Sequence, residues 1–197
     1  MFSCILLAAG ENSRFGYPKG LATAQNRTVV QHIQETLVNS QINEIIVVLG
    51  AQKEKIEPHL LKHKKLIIVH NKDHKLGQTS SFKAGIKQAS IKAKGFLLMP
   101  VDCPWITTAT INSLLEHFTK TKPLILVPKY KDRNGHPPIF HKKLLPELLN
   151  LDTSVGVNSF IHAHQNKTEF LSTDDIGTVL TFNTQEEFQK AWEQRPT

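Results

Sequence analysis

Short, almost unbroken aliphatic runs punctuate the chain, and between them lie stretches in which apolar positions recur at helical spacing. The runs at 3–8, 44–49, 66–70, 95–100 and 124–127 have strand length and are rich in Ile, Val and Leu, which predicts strands covered on both faces. Helices are predicted over 29–39, 53–62, 80–90 and 108–119, with Thr28 and Thr107 standing at N-cap positions. Alternation of this kind signals βαβ units and a mainly parallel sheet. Beyond 127 it weakens. Residues 128–140 are rich in Lys, Pro and Gly and predict a long loop able to cover a site. Helices over 141–150 and 155–164, a strand pair over 169–171 and 179–182, and a closing helix over 185–192 complete the reading. No internal repeat or low-complexity tract is visible.

In a sheet of this type ligands bind beyond the carboxyl ends of the strands, which directs attention to the segments after Ala8, His70 and Pro100. Composition narrows the chemistry. The 197 residues suit one domain, and the net charge of +7 suits either a polyanion or a small phosphate-bearing substrate. The lysine-containing patches at 59–65 and 120–133 lack interleaved aromatics, so a nucleic-acid platform is not expected. Cys4 and Cys103 have neither metal-ligand nor redox spacing, in keeping with a reduced, cytoplasmic protein. The apolar start has no basic n-region, and no run is long enough to span a bilayer, so export and membrane insertion are not expected.

The stretch LLAAGENSRFGYPKGLA, 6–22, ends a buried strand in small residues and follows it with Arg14, Gly16 and Lys19. Exposed amides beside two cations suit a triphosphate: arginine grips oxygens through a planar fork and lysine supplies a compact charge. The Walker and dinucleotide glycine spacings are both absent. A plain glycine-containing βα turn is the alternative. After His70, Gly77 frees the chain while Thr79, Ser80 and Ser81 stand where they can cap the next helix, whose amides favour an anion; capping alone is again the alternative. Asp102, at the end of an apolar strand, is costly to bury without a partner and lies too far from Thr107 to cap that helix. A magnesium ligand or a structural acid are the two readings, and the first suits a metal held by few carboxylates plus phosphate oxygens. His59 and His63 have helical spacing but no nearby carboxylate, His162 and His164 face different ways, and Trp105 and Phe82 read as packing residues.

The same residues resemble the MobA/MocA-like nucleotidyltransferases, the molybdenum cofactor cytidylyl- and guanylyltransferases. Leu7, Ala8, Ala9, Gly10, Arg14, Gly16, Pro18 and Lys19 match the signature L-A-A-G-x-S-x-R-x-G-x-P-K, with Asn12 in place of Ser. Asn71, Gly77, Ser81 and Gly85 match N-x5-G-x3-S-x3-G, and Pro100, Asp102 and Pro104 match P-x-D-x-P. Gly135, His136, Pro137 and Phe140 resemble G-H-P-x-x-F of the cytidylyl branch. The resemblance implies a three-layer α/β/α, Rossmann-like, mostly parallel sheet of the nucleotide-diphospho-sugar transferase (GT-A-like) type. It implies nucleotide binding by Leu7, Ala8, Ala9, Gly10, Arg14, Lys19, Asn71, Gly77, Ser80 and Ser81. Arg14, Lys19 and Asp102 would be catalytic, Mg2+ would sit on Asp102, and His136 would face the acceptor.

One departure matters. Where the cytidylyl type often carries D-x-D-T-P-E-D, this chain has Thr181-Phe182-Asn183-Thr184-Gln185-Glu186-Glu187, so Asn183 would offer the metal a neutral oxygen in place of a charged one. Ala9 and the Gly-His-Pro segment lean toward CTP. The expected reaction is transfer of CMP from CTP to a phosphate-bearing acceptor such as molybdopterin, with pyrophosphate released. GTP as donor and a sugar- or alditol-phosphate as acceptor are alternatives, as is a non-catalytic nucleotide sensor. A molybdoenzyme or its chaperone would be the protein partner.

Overall fold

The computed structural model describes residues 1–10 and 15–196. Strand β1 is Phe2–Ala8, and a small hairpin of β2 (Thr23–Ala24) and β3 (Arg27–Thr28) leads into helix α1 (Val29–Val38). Strand β4 (Glu44–Leu49), helix α2 (Lys53–Ile56), strand β5 (Leu66–His70), helix α3 (Gln78–Ile86), strand β6 (Gly95–Pro100) and helix α4 (Thr108–Thr121) follow. The second half holds β7 (Ile125–Tyr130), β8 (Arg133–Asn134), β9 (Ile139–His141), α5 (Leu145–Asn150), α6 (Val157–Ala163), β10 (Thr168–Ser172) and α7 (Gln185–Gln194). The main sheet has the order β10-β7-β9-β6-β1-β4-β5, with β8 paired to β7. Its pairs are parallel except that β9 runs against both β6 and β7, and β8 against β7.

Apart from Ser3 and Glu44, which hydrogen-bond to each other, β1 and β4 are apolar, because alternate side chains feed two different layers. In β1, Phe2, Cys4, Leu6 and Ala8 join one cluster with Val30 and Ile33 of α1, Leu114 and Phe118 of α4, and Phe188 of α7. Ile5 and Leu7 join the other with Phe82 and Ile86 of α3, Leu148 of α5 and Phe160 of α6. Strands β4 and β6 divide in the same way: Ile45, Val47, Leu97 and Met99 face the first layer, and Ile46, Val48, Phe96 and Leu98 the second. The molecule therefore has the expected three layers. Burial of each such aliphatic side chain stabilises it by about 1.5–3 kcal/mol. Gly85 lets α3 lie close against the sheet, since a Cβ there would come within 2.4 Å of Ile5 Cγ2.

Thr28 caps α1 in a reciprocal capping box with Gln31, and Thr107 caps α4 by accepting from the Thr110 amide. Other elements depart from the pattern reading. The helix expected over 53–62 stops at Ile56 and passes into a 3-10 turn, Glu57–His59, because Pro58 has no amide to donate and its ring obstructs a continuing helix. His59 and His63 consequently share no helix. Helix α3 begins at Gln78 with Gly77 as its cap and no side-chain capping bond. Thr79, Ser80 and Ser81 lie inside its first turns, not ahead of it.

The expected loop at 128–140 is largely ordered as the end of β7, then β8, then the start of β9. Of the strand pair near the C-terminus, 169–171 is β10, whereas 179–182 is not a strand and β10 pairs in parallel with β7. Among the described residues no helix is long and apolar enough to cross a membrane.

Candidate active site

Strands β1, β4, β5 and β6 are mutually parallel, so their carboxyl ends open on one side, and a cleft of about 400 Å³ lies there. That volume is within the range of small-ligand sites. Leu7, Ala9 and Gly10 come from the end of β1, and Pro100, Val101 and Asp102 from the end of β6. His74, Lys75, Gly77, Gln78 and Ser81 come from the turn after β5 and the start of α3, and Lys19 from the loop after β1. Gly50 makes this convergence sterically possible. A Cβ on it would lie 2.5 Å from the Ala9 carbonyl and 2.7 Å from His74 Cβ. Gly77, at φ +90°, takes a left-handed backbone that few other residues adopt. It leaves the first amides of α3 without a side-chain cap beside the cleft, where the helix dipole favours an anion.

The charged end of the cleft is built by three separated segments. Pro18 leads into a 3-10 turn at Lys19–Leu21, closed by the Leu21 amide donating to the Pro18 carbonyl at 2.8 Å. Lys19 Nζ is thereby aimed at Asp102 Oδ2 and Asn183 Oδ1, donating to each at 3.0 Å. Its side chain is only 12% exposed, against 29% for Asp102, and it lies 5.6 Å from the centroid of the buried Phe182 ring. Asn183 precedes the cap of α7: Thr184 accepts from the Glu187 amide, and Glu187 accepts from the Asn183 amide at 2.6 Å. That bond holds the Glu187 carboxyl below its ordinary pKa.

The cost of burying Asp102 is thus met by Lys19. Its carboxylate and the Asn183 carbonyl are hard oxygen donors that both meet the Lys19 ammonium, and they suit magnesium or manganese better than a thiophilic metal once that ammonium turns aside. Among the described residues no cluster of three or more His, Cys, Asp or Glu could hold a metal by itself. A divalent ion there would therefore draw its remaining ligands from water or a bound phosphate.

Of the residues expected to bind nucleotide, Leu7, Ala9, Gly10, Lys19, Gly77 and Ser81 line the cleft with Asp102. Ala8 is buried in β1. Asn71 and Ser80 brace the turn behind the cleft wall: Asn71 Nδ2 donates to the hydroxyls of Ser80 and Ser81 at 3.0 Å each, and Ser80 donates to the carbonyls of Asp73 and Gly77. Arg14 lies outside the described residues. His136 borders a separate cavity of about 130 Å³ with Asn134, Asn158 and His162. Burial lowers its pKa while the Asp102 charge opposes the shift, and its Nδ1 is buried without a partner. Cys103, beside Asp102, is no nucleophile at neutral pH, because burial and then the neighbouring carboxylate raise its pKa well above the ordinary thiol value. Trp105 and Phe82 are buried packing residues.

The pattern reading missed His74, Lys75 and Gln78. The rule that ligands lie beyond strand ends points to their segment, but only the fold of the β5–α3 turn shows which side chains reach the cleft.

A mostly parallel sheet with an ammonium and a carboxylate meeting beyond the ends of its central strands, beside small residues and an uncapped helix start, suits a nucleotide-handling α/β transferase. The chain belongs to the MobA-like NTP transferase domain family, whose model matches residues 4–168. It is 26% identical over 197 residues to a probable molybdenum cofactor guanylyltransferase of Bacillus cereus, covering 96% of this chain and 95% of that protein. It is likewise 26% identical over 205 residues to nicotine blue oxidoreductase of Paenarthrobacter nicotinovorans, covering 94% of each. Among solved structures, Rv0371c of Mycobacterium tuberculosis in complex with manganese superposes with a TM-score of 0.80 at 22% identity, over 98% of this chain and 97% of that one.

Proposed function

We propose that this nucleotidyltransferase moves CMP from CTP to a phosphate-bearing acceptor of the molybdopterin type and releases pyrophosphate. The observation that carries the reading is the meeting of Lys19, Asp102 and Asn183 at one end of the cleft. A phosphate-monoester oxygen of the acceptor attacks the α-phosphorus, and the bond from that phosphorus to the bridging β-phosphate oxygen breaks. The second pKa of a phosphate monoester is near about 6, so the nucleophile is already mostly dianionic at neutral pH and no general base is required.

What the protein supplies is alignment and charge balance. Lys19 offsets charge on the triphosphate, assisted by Arg14; Ala9 and Gly10 give it small-residue backbone to rest on. Asp102 and Asn183 would hold Mg2+, which when bound supplies charge neutralisation to phosphate oxygens. The manganese bound by the structural relative supports a divalent ion in this role. His136, whose burial favours the neutral form, borders a separate cavity and would meet an acceptor that reaches into it.

Ala9 and the Gly135-His136-Pro137 segment favour CTP. The guanylyltransferase named among the relatives favours GTP, which is the second reading. The test is incubation with Mg2+, molybdopterin and each α-labelled triphosphate, scored by pyrophosphate release and label transfer. CMP transfer is expected, and preferential GMP transfer overturns the choice of base. A nucleotide sensor, or a redox protein like that named for the Paenarthrobacter relative, would yield no pyrophosphate with any acceptor and would end the transferase reading.

A further inference from the structure

The Lys19 ammonium stands on the same two oxygens that the site offers a divalent ion, donating to Asp102 Oδ2 and to Asn183 Oδ1 at 3.0 Å each. Magnesium lies about 2.1 Å from its oxygen ligands, so an ion on either oxygen would sit within about 5 Å of the ammonium. At that range like charges repel strongly where little water screens them. Screening is weak here, since the Lys19 side chain is largely buried and lies 5.6 Å from the centroid of the buried Phe182 ring. Ammonium and metal therefore exclude each other unless anionic oxygens come between them.

Lys19 has a second place to go. It lines the cleft of about 400 Å³ together with Ala9, Gly10 and Gly77, small residues that leave room for an anion. Its backbone is fixed by the 3-10 turn Lys19–Leu21, whereas the four-carbon stem turns about its own bonds. A triphosphate in the cleft offers the ammonium charged oxygens in place of Asp102, which leaves the Asp102 carboxylate and the Asn183 carbonyl to a metal.

We propose that Lys19 occupies the metal ligands until a triphosphate draws it into the cleft, so that triphosphate and divalent ion bind cooperatively. The identity of the anion rests on the transferase reading; the competition between Lys19 and the metal does not. A metal arriving alone finds a competent site only in the fraction of molecules with Lys19 turned aside, and its apparent dissociation constant is raised by the reciprocal of that fraction. A bound triphosphate removes that handicap, and by linkage the metal strengthens triphosphate binding equally.

Two measurements on the whole protein test this without turnover. In the first, Mn2+ binding is read from the electron paramagnetic resonance of the free ion. Lys19→Met should bind Mn2+ alone about tenfold or more tightly than the unaltered protein, and adding Asp102→Asn to it should abolish the gain. In the second, lysines of the unaltered protein are briefly acetylated and followed by mass spectrometry, with Lys75, exposed at the cleft, as internal reference. Lys19 should react slowly in metal-free buffer, severalfold faster at saturating Mn2+, and slowly again once CTP or GTP is bound with the metal, binding being checked by equilibrium dialysis. The competition is overturned by equal Mn2+ affinity in the two proteins, or by Lys19 labelling that saturating Mn2+ leaves unchanged. The labelling separates displacement from a fixed neighbouring charge, which would weaken the metal without moving, and it needs no variant should Lys19→Met fail to fold. Lys19 that stays reactive with nucleotide and metal both bound overturns the coupling. Failure of both nucleotides to bind ends the coupling and the transferase reading together, whereas binding without pyrophosphate release ends that reading alone.

Discussion

Replacing Asp102 by Asn keeps the shape of the side chain but removes its charge, leaving the Lys19 ammonium, 12% exposed, facing neutral oxygens only. Exposed ion pairs contribute about 0.2–1 kcal/mol, whereas stripping one partner from a fully buried pair costs about 3–5 kcal/mol. With the Asp102 side chain 29% exposed, solvent screens part of the interaction. The expected loss for Asp102→Asn is therefore about 1–3 kcal/mol, or a melting temperature lower by roughly 3–8 °C for a chain of this size. Lys19→Met strands the opposite charge and should cost a similar amount.

In the double variant neither charge is left unpaired, so the two losses should overlap, with a coupling energy of about 1–2 kcal/mol. Urea unfolding of the four proteins at one pH and one salt concentration measures that coupling. Each single change should also lower pyrophosphate release by about 10²–10³-fold, as removal of one preorganised electrostatic group does elsewhere. Additivity within about 0.3 kcal/mol would show that the two side chains do not interact in solution, and the convergence on which the site rests would be refuted.

Gly85→Ala places a methyl 2.4 Å from Ile5 Cγ2 and 3.0 Å from Val48 Cγ2. Overpacking of about 1–3 kcal/mol should outweigh the gain of about 1 kcal/mol in helix propensity; a raised urea midpoint would show that α3 does not press on the sheet as described. Thr28→Ala removes the side-chain half of the α1 capping box, the Gln31 amide donating to Thr28 Oγ1, and leaves the residue-28 amide donating to Gln31 Oε1; it should cost about 1 kcal/mol, while Thr28→Ser should cost much less, and thermal melts of the pair check this. His136 has a folded pKa below its unfolded value of about 6.5, so between the two values the unfolded chain binds more protons. Its contribution to stability is present above pH 6.5 or so and is lost as pH falls through that value toward the folded pKa. His136→Gln should flatten the decline in urea midpoint on the acid side of about pH 6.5, and an unchanged slope would show that His136 is not held neutral by burial.

Much of this architecture is legible along the chain because it depends on local patterning. Leu6, Val47 and Leu98 belong to runs with no polar face, and such runs require layers on both sides of a sheet. Thr28 and Thr107 cap helices through neighbours three residues away, so their roles are local as well. The stop before Pro58 is local too, but the helix expected over 53–62 ran through it, although an interior proline breaks or kinks a helix. The antiparallel β9 is not local, because 139–141 gains its hydrogen bonds only from β6 and β7, strands distant in sequence.

The site divides along the same line. Residue type and position at strand ends single out Lys19, Asp102 and Gly77, because small residues and unpaired charges are costly there without a purpose. Which atoms meet was decided by tertiary structure. Lys19 and Asp102 are 83 residues apart and Lys19 and Asn183 are 164 apart, and nothing in local sequence encodes a contact across such distances. The assignment of Asn71 and Ser80 to bracing, and of His74 to the cleft wall, also depends on how the turn after β5 closes over α3. Propensity and periodicity act over a few residues and fix the elements, whereas the chemistry arises where the sheet brings the ends of those elements together.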